Sequence, residues 1–98
     1  MDNFSFGPQR PNNSDTITVG RIINIDRRNR SFTILTGQDP SSAIRFNLAD
    51  NARITDYFGR TMNFSCLTPG MRVRVRHALF MTMSIPPQTT AFAVRVIR

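Results

Sequence analysis

The stretch Arg72-Val73-Arg74-Val75-Arg76-His77 alternates basic and apolar residues without a break, directly after a turn signal at Thr68-Pro69-Gly70. Alternation at period two places Val73 and Val75 on one side of an extended chain and the three arginines on the other. His77 shares the parity of the valines and so belongs to the inner face or to a barrel end. The stretch is therefore a half-buried β-strand with a cationic outer edge. Same-face residues on a strand lie about 6.8 Å apart. Neighbouring charges at that spacing repel by roughly 0.6 kcal/mol in water, before salt screening. A small domain tolerates this without a ligand, so the row permits an anionic partner and does not demand one.

The same signals recur on either side. Upstream, Thr16–Asp26 reads as a first strand in which Ile17 and Val19 alternate, Gly20-Arg21 interrupts, and Ile23 and Ile25 resume. A glycine inside a strand marks a bulge or bend, which lets one long strand serve two sheets of a barrel. A polar hairpin loop, Arg27-Arg28-Asn29-Arg30, leads to strand two at Ser31–Thr36, with Phe32 and Ile34 on one face. Gly37-Gln38-Asp39-Pro40 is turn chemistry. Strand three, Ala43–Leu48, points Ile44, Phe46 and Leu48 one way and Arg45 and Asn47 the other. Residues 50–69 are less regular, with a short strand at Ala52–Thr55, a turn at Asp56-Tyr57-Phe58-Gly59 and one helical turn at Ser65-Cys66-Leu67. The opening stretch is strand four, running from Met71 to Leu79. Pro86-Pro87 forces a loop after it, because proline donates nothing to a ladder. Strand five, Thr90–Ile97, places Phe92, Val94 and Val96 inward and Arg95 outward.

Five strands, a bent first strand and a short irregular or one-turn helical connection between strands three and four imply an all-β, OB-like Greek-key barrel spanning residues 16–98. Residues 1–15, rich in Asn, Ser, Pro and Gly, read as a flexible N-terminal arm. The motifs Gly20-Arg21-Ile22, Asn51-Ala52-Arg53-Ile54, Leu67-x-Pro69-Gly70-x-x-Val73-x-Val75 and Pro86-Pro87-Gln88 resemble those of small uncharacterised bacterial domains with OB-like barrels. The resemblance covers about residues 16–98. It implies the fold and carries over neither an activity nor site residues.

Composition narrows the function classes. The 98 residues hold 13 basic and 6 acidic side chains, a net charge of +7. Every basic residue is arginine and every acid is aspartate. Arginine offers a planar five-donor fork suited to phosphate and carboxylate. A high-pI domain with clustered arginine carries the electrostatic footprint of nucleic-acid binding. No apolar stretch approaches the roughly 20 residues of a membrane span, and no secretory signal is visible, so a cytoplasmic, membrane-free protein is expected. Catalysis is not expected either. One histidine, one cysteine and no glutamate leave only a Cys66/His77 dyad to consider, and both read as buried core residues. No zinc-type ligand spacing and no glycine-rich phosphate loop occur, so neither a metal nor a cofactor is expected.

Two binding readings remain. On OB folds a ligand lies across strands two and three, flanked by the loops joining strands one–two and four–five. That criterion selects Arg27, Arg28, Arg30 and Arg45 as anion or nucleic-acid contacts, with Arg72, Arg74 and Arg76 as a second set on the barrel wall. Phe32 and Phe46 share the core parity, so base-stacking aromatics must come from the rim, from Phe80, Tyr57 or Phe58. The other reading is a protein-interaction or self-assembly module, such as a homodimer, using Phe80, Met81, Met83, Pro86 and Pro87 in the Met- and Pro-rich loop 79–89.

Overall fold

The computed structural model describes residues 15–98. They form a closed, all-β, five-stranded barrel. Its strands are β1 (Asp15–Asp26), β2 (Ser31–Leu35), β3 (Ala43–Thr55), β4 (Arg72–Ala78) and β5 (Gln88–Ile97). Around the barrel the order is β1-β2-β3-β5-β4, with β4 closing back onto β1. All neighbours are antiparallel except β3 and β5. Two 3₁₀ turns interrupt the connections, Pro40–Ser42 before β3 and Phe64–Cys66 before β4. The arm read at residues 1–15 lies outside the described residues, except for Asp15, which opens β1.

Closure follows from β1 changing partners midway. Residues 15–21 pair with β4 and residues 21–26 pair with β2. Gly20 stands at the handover. A Cβ there would come within 2.4 Å of the Leu35 carbonyl oxygen and 2.8 Å of the Ile34 Cδ1, so only glycine allows the two strands to approach. The parity of β1 differs from the alternation of its isoleucines. Directly paired residues share a face, and β4 keeps Val73 and Val75 inside. Their partners Gly20 and Thr18 therefore face inward, which turns Ile17 and Val19 out. A bulge between Ile22 and Asn24 leaves Ile23 outside and returns Ile25 to the core.

The alternation of β4 is obeyed throughout: Val73, Val75 and His77 are fully buried and Arg72, Arg74 and Arg76 are exposed. The inward phenyl rings of β2 and β3 meet, with Phe32 and Phe46 centroids 5.5 Å apart. The Phe46 ring also packs 5.0 Å from the imidazole of His77. The two short strands read at Ala43–Leu48 and Ala52–Thr55 are one strand, whose register against β5 shifts between Leu48 and Arg53. Strand five differs too. A register shift opposite Arg76 and His77 leaves Phe92 without a partner on β4. Its half-buried ring lies on the outer face beneath the Arg76 guanidinium, 5.6 Å away, instead of in the core. Cys66 is exposed, because the 3₁₀ turn sends its neighbours Phe64 and Leu67 inward in its place.

Candidate functional site

The arginines separate into two groups by what they touch. The first surrounds the β1–β2 loop. Arg27 donates to the carbonyl oxygens of Ser65 (3.2 Å) and Leu67 (3.4 Å), clamping the 3₁₀ turn against the loop. Arg45 donates from one terminal nitrogen to the Asp26 carboxylate (3.0 Å) and the Ser31 hydroxyl (2.7 Å). Its Nε is buried without a hydrogen-bond partner among the described residues. Asp26 is fixed in turn by Asn29, whose side-chain amide (2.8 Å) and backbone amide (3.2 Å) both donate to it. These bonds, followed by Arg45, hold its carboxyl below the ordinary range. Arg28 and Arg30 are exposed at the loop tip, and Arg30 takes a positive φ of 48°. The β2 face beside them is covered, with Ser31 and Thr33 buried as well as Phe32 and Ile34.

The second group forms a wall. Across β1, β4, β5 and β3 the register aligns three outward rows: Arg21, Arg72 and Ile97; then Val19, Arg74, Arg95 and Thr55; then Ile17, Arg76, Ala93 and Arg53. Six exposed arginines thus share one face with the exposed Ile17 and Val19. Arg21 stands directly opposite Arg72, and Arg74 directly opposite Arg95. Like charges facing each other across a ladder are destabilising. Among the described residues only Arg76 of the six has an ion-pair partner, the Asp15 carboxylate. A shallow depression of about 260 Å³ opens in this wall, lined by Ile17, Arg53, Thr55, Arg74, Arg76 and Arg95.

The wall ends at the turn between β3 and the 3₁₀ helix. There Asp56 accepts from the backbone amides of Arg60 and Phe58, each at 2.9 Å, and Gly59 supplies the positive φ of 87° that closes the turn. The Arg60 amide is the main cause of a lowered Asp56 pKa. Arg95 of the wall donates to the Tyr57 carbonyl oxygen (3.0 Å), tying turn and wall together. The Tyr57 and Phe58 rings meet edge to face at 5.3 Å and are 45% and 72% exposed. Arg98 lies over the tyrosine ring and Arg60 over the phenylalanine ring.

The loop between β4 and β5 is the third surface. Thr82 and Ser84 hydroxyls bond at 2.6 Å, Ser84 donates to the Pro86 carbonyl oxygen, and the Gln88 amide donates to the Thr82 hydroxyl. So braced, the loop exposes Phe80 and Met81 and leaves Met83 and Ile85 fully in solvent. Pro86 and Pro87 are half-buried, and the Pro87 carbonyl oxygen accepts from the Arg45 amide.

The arginines expected to act together are therefore split. Arg72, Arg74 and Arg76 are joined by Arg21, Arg53 and Arg95, which had not been singled out. The signal was present for Arg53 and Arg95, which lie outside the core alternation of their strands, whereas Arg21 shares the parity of Ile17 and Val19 and turns outward only through the register of β1 with β4. The strand order that assembles them carried no such signal. His77 is engaged at both ring nitrogens. Nδ1 lies 2.8 Å from the Ala78 carbonyl oxygen, which can only accept, so Nδ1 carries a proton, and Nε2 lies 2.7 Å from the Thr18 hydroxyl.

No protein-family model matches the chain, and no curated protein matches it in sequence. Two solved structures match it in fold. One is a copper(II)-bound tryptophan-to-alanine variant of CusF from Escherichia coli, 11% identical over 94% of this chain and 100% of that one, with a TM-score of 0.58. The other is silver(I)-bound CusF from the same organism, 11% identical over 86% of this chain and 92% of that one, also with a TM-score of 0.58. At this identity the likeness establishes the OB-like barrel alone.

Proposed function

We propose that this barrel is a non-enzymatic binding module for a polyanion, with single-stranded nucleic acid as the partner, and that the strand docks on the arginine wall. One observation carries the reading: the directly opposed pairs Arg21–Arg72 and Arg74–Arg95, with no acid set between them among the described residues. Each opposed pair is destabilising in the free protein. A row of phosphates removes that repulsion and meets the guanidinium fork in the geometry that suits it best. The interleaved Ile17, Val19 and Ala93 give sugars and base edges apolar surface. A cytoplasmic setting, where such strands occur, accords with this partner.

The copper and silver of the CusF structures are not carried over. At 11% identity the likeness carries the fold and not what those proteins hold, and both nitrogens of His77 are engaged within the barrel. The same engagement of His77 argues against its acting as a base for Cys66.

Titration of a labelled oligonucleotide at several salt concentrations tests the proposal. Contact with four to six arginines gives a slope of log K against log salt of roughly −3 to −4. Absence of binding at low salt would refute it.

The loop at 79–89 supports a second reading, self-association, because Met83 and Ile85 are fully exposed on a segment braced by its own hydroxyls. Light scattering on the wild type and on a Phe80→Ser, Met81→Ser variant decides it. A concentration-dependent dimer lost in the variant supports it, and a monomer in both eliminates it.

A further inference from the structure

We infer that the Tyr57–Phe58 turn is a base-stacking subsite at the end of the arginine wall, so that the ligand is a single strand with unstacked bases and not a duplex or a base-free polyanion. The inference rests on the polyanion reading of the wall and adds a partner for the bases. Four features place it. The two rings are exposed where an apolar pair would otherwise be covered, at 45% and 72%. The turn that carries them is set by the Asp56 carboxylate and by Gly59, so the rings are presented by a preformed backbone. Arg95, in the central row of the wall, donates to the Tyr57 carbonyl oxygen, which makes the turn continuous with the phosphate surface. Arg60 and Arg98 lie over the rings, 5.6 and 5.2 Å from their centroids, giving a mixed cation and aromatic surface. Guanidinium planes and aromatic faces both stack on bases of any sequence, whereas phosphate contacts alone do not distinguish a strand with bases from one without. The location differs from the strand-two and strand-three face that OB folds commonly use.

Tyr57 provides its own reporter, since the chain has one tyrosine and no tryptophan. Full-length protein is titrated with a thymidine oligomer of about a dozen nucleotides, a length within the usual span of such sites. Labelled-strand anisotropy and absorbance-corrected tyrosine emission are followed together. An abasic strand of equal length serves as the comparison. The expected result is quenching of Tyr57 that saturates with the anisotropy for the thymidine oligomer, and binding without quenching for the abasic strand. Phe58→Ala, at an exposed position, should weaken the thymidine oligomer by about 5- to 150-fold while leaving the abasic strand and the salt slope unchanged. Equal affinity for both strands with no quenching overturns the stacking subsite and leaves the wall standing. Failure of both strands to bind at low salt overturns the wall and the subsite together.

Discussion

Arg45 and Arg74 each lie on a strand, each next to a core residue, and each on the outward parity. Arg45 meets Asp26 and Ser31 and is sealed between them, its side chain only 29% exposed. Arg74 meets Arg95 across the ladder and Val19 on its other side, and has no acid among the described residues. The first arginine joins the hairpin loop of β1–β2 to the start of β3. The second adds repulsion to the barrel it belongs to. The contrast shows that the partner of an arginine, rather than its number in the chain or its usual place in a fold, separates a structural charge from one available to a ligand.

The contrast breaks first if β3 has been placed with the wrong face inward. Phe46, the residue after Arg45, packs against Phe32 and His77 and is fully buried. Phe46→Ala should therefore cost about 3–5 kcal/mol in a denaturant melt. An unchanged midpoint would turn β3 over and release Arg45 from its anchored position. Next in size is Arg45→Ala itself. Loss of charge-assisted hydrogen bonds to Asp26 and Ser31 should destabilise the fold by about 1.5–3 kcal/mol, with oligonucleotide affinity nearly unchanged. Weaker binding at full stability would move Arg45 into the ligand site.

The smallest effect is in acid. Asp26, held by Asn29 and Arg45, has a folded pKa below its ordinary 3.8. A group depressed in this way contributes stability above the unfolded value and loses it as pH falls through the folded one. Asp39, held chiefly by the Ser41 amide, and Asp56, held chiefly by the Arg60 amide, behave alike. The melting temperature should hold steady well above pH 3.8 and fall below it, and Asp26→Asn should flatten part of that fall. A melting temperature that does not change in acid would mean that the aspartate contacts do not support the folded state.

Much of the barrel was legible in the residues. Val73 and Val75 set the inner face of β4, and Gly20 marked the bend where β1 changes partners, because period-two patterns and a glycine's missing Cβ are local properties. What escaped was non-local. The inward face of β1 depends on its register with β4, so Ile17 and Val19 looked like core and are not. Phe92 was turned outward by a one-residue shift against β4, which buries Ala91 and Thr89 before it and leaves Val94 inward and Arg95 outward after it. The site escaped for the same reason. Arg21, Arg53, Arg74 and Arg95 are far apart in sequence and converge only when β5 lies between β4 and a parallel β3, and β4 closes onto β1. Tyr57 and Phe58 were legible as rim aromatics, but their link to the wall runs through one hydrogen bond from Arg95.

The most direct measurement compares two charge reversals of equal net charge, Arg74→Glu in the wall and Arg28→Glu at the exposed loop tip. Oligonucleotide affinity at moderate salt and melting temperature are read on both. If the wall is the binding surface, Arg74→Glu weakens binding by about tenfold or more, the loss of at least one charge-assisted contact. It should also hold or raise the melting temperature, because Arg95 gains an opposite charge. Arg28→Glu should leave affinity within a few-fold. Equal weakening by both variants would show that only the overall charge attracts the strand, and would contradict the assignment of the wall.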